Sequence, residues 1–352
     1  MPVTLNDVAL RAGVSIKTVS NVVNGYPHIS PATLQRVEKA IAELNYRPNL
    51  SARSLRRGRS GVIALAVPEL SSPYFAELAE CVVQAADRHG FMVFMEQTEG
   101  KAARERLVLE GIRAHLIDGL IFSPLALEAD ELAGRTDTTP LVLLGERVSG
   151  ASMDHVVIDN VAAARTAVVH LAELGRSRIA AIGLQRSKSR ETARLRLAGY
   201  REGLSAAGLS YQAELVVETR AFRREDGATA MAKLLEGPTL PDAVFAFNDL
   251  IALGALRNCY ERGLRVPEDV AIIGIDDVED GRYSVPSLST ISPDREFIAH
   301  TAVSFLVDRI SSPVPGTDGG PASTNGSRFQ PRHVVAPHRL LVRESTAGRG
   351  AR

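Results

Sequence analysis

From Gly61 onwards, short apolar runs alternate with helical stretches of about 10–17 residues. The runs are rich in Val, Ile, Leu and Phe, and they are Val62–Val67, Phe91–Met95, Gly119–Phe122, Leu141–Leu144, His155–Ile158, Ile179–Ile182, Leu215–Glu218, Ala243–Phe247 and Val270–Ile275. Near-continuous apolar strands joined by helical crossovers indicate parallel sheets that are buried on both faces. Nine strands fit two doubly wound lobes better than one sheet, so we predict an α/β core of two parallel-sheet lobes.

The first 60 residues contain helical patterns only. Thr4 and Asp7 form a capping-box pattern before a first helix, which Gly13 ends. Ser15 is placed to cap a second helix, and Ser30-Pro31 supplies the N-cap and first-turn proline of a third. The residues predicted for the buried face of the third helix are Leu34, Val37, Ile41 and Leu44. Three short helices with one shared core predict a small all-α unit.

Charge divides unevenly between these two parts of the chain. Residues 1–60 contain nine Lys or Arg and three Asp or Glu, a net charge of +6. The remainder carries −6, because the whole chain has 41 residues of each sign. A basic segment on an acidic body is typical of nucleic-acid binding, in which neutralisation of phosphates dominates affinity. Charge alone leaves a merely solvated positive face as the alternative.

The sequence also favours some locations and chemistries over others. No apolar run approaches the roughly 20 residues that span a bilayer, and the first 30 residues lack signal-peptide order, so we expect a cytoplasmic protein without membrane contact. Cys81 and Cys259 have no metal-site spacing and are expected to be plain buried or half-buried residues. We find no phosphate loop, dinucleotide fingerprint or nucleophile elbow, and therefore expect no enzyme, cofactor or metal.

The segment Leu5–Asn24 meets the steric demands of a helix-turn-helix. Small Ala9 lets two helices cross closely, Gly13 supplies the turn, and Val19 fills the angle between them. This segment resembles the headpiece of the lactose-repressor (LacI/GalR) family. The resemblance continues, in family order, through N-Y-R-P-N-L-S-A-R-S-L, V-I-D-N, A-R-L-R-L-A-G-Y, F-N-D-L-I-A-L-G-A-L, I-I-G-I-D-D and L-L-V-R-E-S-T. It covers nearly the whole chain.

The resemblance implies a domain plan and a function. The implied domains are a headpiece at 1–46, a hinge helix and linker at 47–60, a periplasmic-binding-protein-like effector-binding and dimerisation domain at 61–345, and a tail at 346–352. A homodimer of such chains is expected to bind a pseudo-palindromic operator in double-stranded DNA as a transcriptional repressor. A small sugar-like effector in the cleft between the lobes is expected to control it.

The resemblance places the N-terminal end of the second helix in the major groove. By position, Ile16, Lys17 and Asn21 are expected to face base edges, where Lys suits guanine, Asn suits adenine and Ile suits the thymine methyl group. The residues placed for phosphates, which set register but not sequence, are Ser15, Thr18, Ser20 and Asn24. The alternative for each is a solvated helix residue.

Leu55 stands in the run Arg53-Ser54-Leu55-Arg56-Arg57, where it has no obvious core to join. The resemblance implies that paired hinge helices insert Leu55 into the minor groove, with Arg53 and Arg56 on phosphates. The alternative is that Leu55 packs against the other hinge or the core domain.

Open α/β sheets bind ligands at the carboxyl ends of their strands. The polar and aromatic residues there, which are the effector-binding candidates, are Glu69, Tyr74, Phe75, Glu146, Phe222, Asn248 and Asp276. The resemblance adds Arg196, which it points into the cleft. Arg, Asn and Asp can grip vicinal hydroxyls, and the two Phe rings can stack on a sugar face, although they could instead simply fill the lobe cores. The pair Asp276-Asp277 could hold hydroxyls as easily as perform chemistry.

Some features limit what the resemblance implies. Pro293 occupies a cleft-edge position where the lactose repressor has glutamine, so the sugar preference of that protein is not implied here. No leucine heptad follows Glu344, so we expect a dimer rather than a tetramer. The residues 311–330 are rich in Pro, Gly, Ser and Thr and predict a mobile surface loop.

Two other classes of protein could share the two-lobed architecture. A periplasmic sugar carrier would need a signal peptide and no headpiece. An α/β enzyme acting on sugars would need a nucleophile, a metal set or a phosphate loop.

Overall fold

A computed structural model of the chain describes residues 3–23, 26–46, 59–110, 116–146, 153–185, 191–312 and 330–348. The chain divides into two compact units, Met1–Ser60 and Gly61–Arg352. The predicted hinge helix and most of the predicted 311–330 loop lie outside the described residues.

The described part of the first unit contains three helices, α1 (Leu5–Ala12), α2 (Ile16–Val23) and α3 (Pro31–Glu43). The predicted capping box is confirmed, because Thr4 N donates to Asp7 Oδ2 at 2.8 Å and Asp7 N donates to Thr4 Oγ1 at 3.4 Å. Gly13 ends α1 with φ 66°, the left-handed conformation that glycine adopts without strain. The buried core consists of Val8, Ala9, Ala12, Val19, Val37, Ala40 and Tyr46.

One predicted core position of this unit is wrong. Leu34 is 38% exposed, whereas Val37 is buried and Ile41 and Leu44 are partly buried. A core of seven buried side chains is too short to cover the whole face of a 13-residue helix, so the first turn of α3 faces solvent.

In the second unit, six parallel strands form the sheet of what we call the N-lobe. Their order is β11-β5-β4-β3-β1-β2. The strands are β1 (Val62–Val67), β2 (Met92–Gln97), β3 (Gly119–Phe122), β4 (Leu141–Leu144), β5 (Asp154–Ile158) and β11 (His333–Ala336). The helices of this lobe are α4 (Pro73–Asp87), α5 (Ala102–Leu109), α6 (Ala129–Ala133) and α12 (Arg295–Ser311). β1, β3 and β4 are buried along their whole length, as strands covered on both faces must be.

The C-lobe has the strand order β12-β10-β9-β8-β6-β7, and only the β10–β12 pairing is antiparallel among the described strands. Its strands are β6 (Ile179–Leu184), β7 (Val216–Glu218), β8 (Ala243–Ala246), β9 (Ala271–Ile275), β10 (Ser289–Pro293) and β12 (His338–Leu341). Its helices are α7 (Asn160–Glu173), α8 (Glu191–Ala206), α9 (Arg224–Leu235), α10 (Asp249–Glu261), α11 (Glu279–Arg282) and α13 (Glu344–Ala347), with a 3-10 turn at Ala213–Leu215.

All nine predicted strands are confirmed, with shifts of up to two residues at their ends. The sequence did not predict β10, β11 and β12. The interior strand β10 has no apolar run, because three of its buried residues are polar, namely Ser289, Thr290 and Ser292. Their burial is compensated by hydrogen bonds, such as the one that Thr290 Oγ1 donates to Asp249 Oδ1 at 2.7 Å.

In the described ranges, the chain crosses between the lobes at three points, which are Asp159, Asp294 and Pro337. Asp159 caps α7 by accepting from Ala162 N at 2.9 Å, and Asp294 caps α12 in the same way. Asp294 N also donates to Pro337 O at 3.0 Å, which joins two of the crossings. Three neighbouring crossings leave a cleft between the lobes, to which the carboxyl ends of the strands lead.

Cys81 is half-buried and Cys259 is buried, as predicted. No helix in the described part of the chain is long and apolar enough to cross a membrane.

Candidate functional site

A cavity of about 950 Å³ lies between the two lobes. The structure brings all eight effector-binding candidates to its wall, namely Glu69, Tyr74, Phe75, Glu146, Arg196, Phe222, Asn248 and Asp276. They come from both lobes and from loops that follow β1, β4, β7, β8 and β9, as well as from α4 and α8. This is the position at which open α/β sheets bind ligands.

Arg196 is held in place by three groups of the C-lobe. Its Nε donates to Asn160 Oδ1 at 2.6 Å, and its Nη1 donates to the carbonyl oxygen of Phe247. Its Nη2 lies 3.7 Å from Asp276 Oδ1. Because Asn160 begins α7 and Asp276 ends β9, the guanidinium is fixed by two separate elements before any ligand arrives. A group fixed in this way loses little freedom on binding.

Asp276 is the buried acceptor beside that guanidinium. Burial raises the pKa of Asp276 to about 6, although Arg196 and Arg295 oppose the rise. Its φ is 121°, and its own carbonyl oxygen accepts from Arg295 Nη1. A carboxylate that is buried beside a fixed guanidinium is a strong acceptor for the hydroxyl groups of a ligand.

Asp277, the neighbour of Asp276, does not line this cavity. It accepts from Arg343 Nη2 at 2.6 Å and from Arg282 Nη2 at 3.0 Å. Burial alone would raise its pKa, but hydrogen bonds from these two arginines hold the pKa below its ordinary value. The two adjacent carboxylates therefore differ in role, and Asp277 joins C-lobe elements to one another.

Asn248 is the N-cap of α10. Its Oδ1 accepts from Ile251 N at 2.9 Å, and its Nδ2 donates to Phe222 O at 3.4 Å. Asn248 therefore fixes the position of the Phe222 backbone at the cavity wall. The ring of Phe222 packs against both apolar clusters of the C-lobe while it lines the cavity.

Tyr74 and Phe75 form the aromatic part of the N-lobe wall, in the first turn of α4. Their rings meet edge to face, with centroids 5.3 Å apart. Burial raises the pKa of the Tyr74 hydroxyl, and Asp276 and Glu146 raise it further, so the hydroxyl stays protonated as a donor. Phe75 also packs against the N-lobe core, so lining the cavity and filling the core are not exclusive.

Two polar contacts cross the cavity from one lobe to the other. Arg223 Nη2 donates to Glu69 Oε1 at 2.9 Å, and Thr192 Oγ1 donates to Glu146 Oε2 at 3.1 Å. Both carboxylates belong to the N-lobe and both donors to the C-lobe. The lobes are therefore in direct contact at the edges of the cavity.

The two faces of helix α2 in the first unit differ in burial. Val19 is buried, whereas Ser15, Ile16 and Lys17 are exposed. Ser15 caps the helix by accepting from Thr18 N at 3.1 Å. The half-buried candidates are Thr18, Ser20 and Asn21. The other predicted DNA contacts, Asn24, Arg53, Leu55 and Arg56, lie outside the described residues.

Comparison with known proteins identifies the family. Residues 4–49 match the family described as bacterial regulatory proteins, lacI family, and residues 168–346 match a periplasmic binding protein-like domain. The ribose operon repressor of Escherichia coli strain K12 is 34% identical over 312 residues, which are 88% of this chain and 94% of that protein. The chain belongs to the LacI family.

Two solved structures agree with this membership of the LacI family. A LacI-family protein from Sanguibacter keddieii is 45% identical, covers 83% of this chain and 100% of its own, and gives a TM-score of 0.72. The lac repressor dimer bound to operator and the anti-inducer ONPF is 29% identical, covers 98% of this chain and 99% of its own, and gives a TM-score of 0.81. The helix-turn-helix unit and the two-lobed periplasmic-binding-like core are thus the LacI-family architecture.

The structure also adds residues to the cleft of this LacI-family core and removes one. The lining residues that the sequence did not single out include Gln97, Ser123, Leu125, Gln185, Thr192 and Arg223. Gln97 is the last residue of β2, and the next three follow the ends of β3 and β6, so the same strand-end rule could have found all four. Pro293 lines a separate cavity of about 510 Å³ beside the lobe crossings, so its placement at the edge of the main cleft is wrong. It ends β10, where the chain leaves the C-lobe.

Proposed function

We propose that this protein is a transcriptional repressor that binds a pseudo-palindromic operator as a homodimer and is controlled by a sugar-like effector. The effector site is the cavity between the lobes. The observation that carries the proposal is the buried Arg196–Asp276 pair, which Asn160 orients at the wall of that cavity.

The cavity offers the chemistry that a sugar requires. Arg196 supplies N–H donors and Asp276 supplies acceptor oxygens within one buried cluster, which suits vicinal hydroxyl groups. Phe75 and Phe222 line the same cavity and suit the apolar C–H face of a pyranose or furanose ring. Neither an aliphatic nor a purely ionic ligand would use both parts of this wall.

The position of the site between two lobes supplies the regulatory step. A ligand that contacts Arg196 of the C-lobe and Tyr74 of the N-lobe favours one separation of the lobes over another. Its effect on the equilibrium equals its difference in affinity for the two arrangements. Operator affinity changes if the dimer presents its headpieces differently in those arrangements.

Exposed apolar residues support the dimer. Met92 and Phe94 are exposed on β2, the edge strand of the N-lobe, and Tyr283 and Val285 are exposed on the C-lobe. Exposed apolar side chains on an edge strand favour pairing with a second chain. Two headpieces related by two-fold symmetry then require two inverted half-sites. A protein with this function acts in the cytoplasm, where the bacterial chromosome lies.

The operator is tested by selecting binding sites from random duplex DNA at physiological salt. We expect two inverted half-sites with centres about 10 base pairs, or one helical turn, apart. A footprint over a single, unrepeated half-site would contradict the dimeric mode of binding.

The effector is tested by thermal unfolding in the presence of neutral mono- and disaccharides, with D-ribose among them. We expect at least one sugar to raise the unfolding temperature and to change affinity for the selected operator. If every sugar that binds leaves operator affinity unchanged, the regulatory role of the cavity is wrong.

A further inference from the structure

Glu105 is a fully buried carboxylate on α5 of the N-lobe. Its two oxygens accept from three consecutive backbone N–H groups of the segment that follows β3. Oε1 accepts from Leu125 N at 2.8 Å and from Ala126 N at 3.2 Å. Oε2 accepts from Ala126 N at 3.0 Å and from Leu127 N at 2.9 Å.

A buried carboxylate is costly unless other groups compensate its charge. No Lys or Arg in the described ranges forms an ion pair with Glu105. The three N–H groups therefore compensate the buried charge of Glu105. Hydrogen bonds to a charged acceptor are stronger than neutral ones. A loop that turns three N–H groups towards one side chain depends on that side chain for its shape.

The segment that Glu105 holds forms part of the cavity wall. Ser123, Pro124 and Leu125 line the cavity, whereas Leu127 is buried in the N-lobe core. Glu105 itself does not line the cavity. The three N–H groups that donate to Glu105 therefore run from Leu125, which lines the cavity, to Leu127, the core residue that anchors the segment.

Two further contacts hold the same segment. A Cβ atom at Gly100, in the turn after β2, would lie 3.2 Å from Leu125 Cδ1, so the leucine packs closely over this turn. Ser123 N donates to Ala66 O at 2.9 Å at the start of the segment. The hydrogen bonds to Glu105 thus add to the contacts with Gly100 and Ala66 that hold this segment in position.

We propose that Glu105 is a positioning residue for ligand binding, which sets the wall formed by residues 123–125 without touching the ligand. The ligand part of this inference rests on the proposed function, whereas the hold on the segment does not. Glutamine has nearly the same shape, but its amide group replaces one acceptor oxygen with a donor. In Glu105→Gln, that donor would face a backbone N–H, so some of the hydrogen bonds that hold residues 125–127 are lost.

Asp154 supplies a matched control in the same lobe. It is also buried, and it accepts from Arg309 and Arg332 at the start of β5, the end opposite the cleft. It lines neither cavity. Asp154→Asn therefore removes a buried charge from the N-lobe without changing the cavity wall, and a merely structural role of Glu105 would make the two variants behave alike.

The first measurement is hydrogen–deuterium exchange of the ligand-free full chain. We expect Glu105→Gln to speed exchange at the amides of 125–127 by at least about tenfold, with Asp154→Asn unchanged there. Glu105→Asp, which keeps both oxygens on a shorter side chain, is expected to lie in between, and it takes the place of Glu105→Gln if that variant does not fold. Unchanged exchange at 125–127 would overturn the inference.

The second measurement is calorimetric titration with the sugar that most stabilises the unmodified protein. We expect Glu105→Gln to weaken its binding by about tenfold or more and Asp154→Asn by less than about twofold, which is the range that loss of one positioned wall would span. Equal losses in the two variants, or faster exchange with unchanged affinity, would overturn the positioning role. If no sugar binds the unmodified protein, the proposed function fails, and the exchange result still decides whether Glu105 holds the segment.

Discussion

The outer face of α2 and the wall of the interlobe cavity use their residues in opposite ways. Ile16 on α2 is 44% exposed, whereas Arg196 and Asn248 are each 5% exposed and Asp276 is 7% exposed. In the first unit, Val8, Val19 and Val37 form the core, so folding and the proposed DNA contacts depend on different side chains. In the cavity, the proposed ligand contacts are themselves part of the hydrogen-bond network of the fold.

This difference determines what a substitution removes. A change on the outer face of α2 should alter recognition and leave stability as it was. A change in the cavity wall should alter both, because it leaves a buried partner without its hydrogen bond.

Arg196→Ala is expected to have the largest effect. It removes the partner of Asp276 and of Asn160 Oδ1, and a buried pair broken on one side costs about 3–5 kcal/mol of unfolding free energy. Sugar binding and the effect of sugar on operator affinity should both be lost, whereas operator affinity without sugar should stay within about threefold. Denaturant unfolding, calorimetry and fluorescence anisotropy with operator measure the three quantities.

Arg201→Ala is the matched control for this variant. Arg201 lies on the same helix α8, but it is exposed and its guanidinium lies over the ring of Tyr211. We expect a loss of less than about 1 kcal/mol and normal sugar binding. A normal sugar response in Arg196→Ala would show that the cavity assignment is wrong at its central residue.

Lys17→Ala is expected to act on DNA alone. Lys17 is exposed on α2, so the unfolding temperature should not change. Loss of a base contact should reduce discrimination at one base pair per half-site by about 1–3 kcal/mol. The measurement is competition binding with operators that carry single substitutions.

Lys39→Ala removes the same charge from the exposed surface of α3, where the ammonium lies 3.9 Å from Glu43. It should leave base discrimination unchanged. If Lys17→Ala weakens binding uniformly across all operators, Lys17 is a phosphate contact rather than a base contact.

The affinity for the sugar should fall when the pH is lowered through about 6. The raised pKa of Asp276, about 6, means that the buried carboxylate takes up a proton in this range and then accepts ligand hydroxyls less well. If only the ionised form binds, affinity should fall about tenfold between pH 7 and pH 5. Calorimetric titration over this range measures it, and Asp276→Asn, which stays neutral at every pH, should bind the sugar weakly at pH 7 and at pH 5 alike.

The stability of the ligand-free core should respond to Asp276 in the opposite sense. A carboxyl group whose pKa is raised on folding contributes stability that is fully present below its unfolded value, near 3.8, and is lost as the pH rises through about 6. Ligand affinity and this stability contribution therefore change in opposite directions between pH 4 and pH 7. A parallel change in both would mean that another group dominates the titration.

The same contrast explains how much of the molecule the sequence predicts. The N-caps of the three headpiece helices and the turn at Gly13 are local patterns, such as Thr4 with Asp7, and each of these could be predicted. The strand-end rule predicted seven of the eight residues that the fold brings to one cavity, because parallel strands end at a common edge, whereas Arg196 was expected there only from the family resemblance. The polar strand β10 and the hydrogen bonds of Glu105 to residues 125–127 could not be predicted, since each depends on partners that only the tertiary structure brings near.

Pairs across the cleft are equally invisible in the sequence. Glu69 and Arg223 are 154 positions apart, and their contact depends on how the lobes are set by the three crossings. Nothing in the local pattern around either residue indicates the other. Pro293 shows the same limit, because it lies at a crossing and lines the second cavity instead of the first.

The smallest expected effect concerns the Glu69–Arg223 pair, which is the part of the cavity wall that is exposed to solvent as the outer face of α2 is. Its side chains are 39% and 59% exposed, so the pair should contribute less than about 1 kcal/mol, and neither Glu69→Gln nor Arg223→Gln should change the unfolding temperature. Because the pair joins the lobes, each variant should weaken sugar binding, by up to about fivefold.

A double-mutant cycle decides what this pair does. If the two residues act only by joining the lobes, both single variants lose the same affinity for the sugar and the double variant loses no more. If Glu69 also contacts the sugar, Glu69→Gln loses more than Arg223→Gln, and the excess persists when Arg223 is already changed. Arg220→Gln is the control, because Arg220 is exposed and lies near Glu225 and Asp226 of its own lobe. Additive losses from Glu69 and Arg223 would show that the contact does not hold the lobes together, and the exposed edge of the cavity would then behave as the outer face of α2 does.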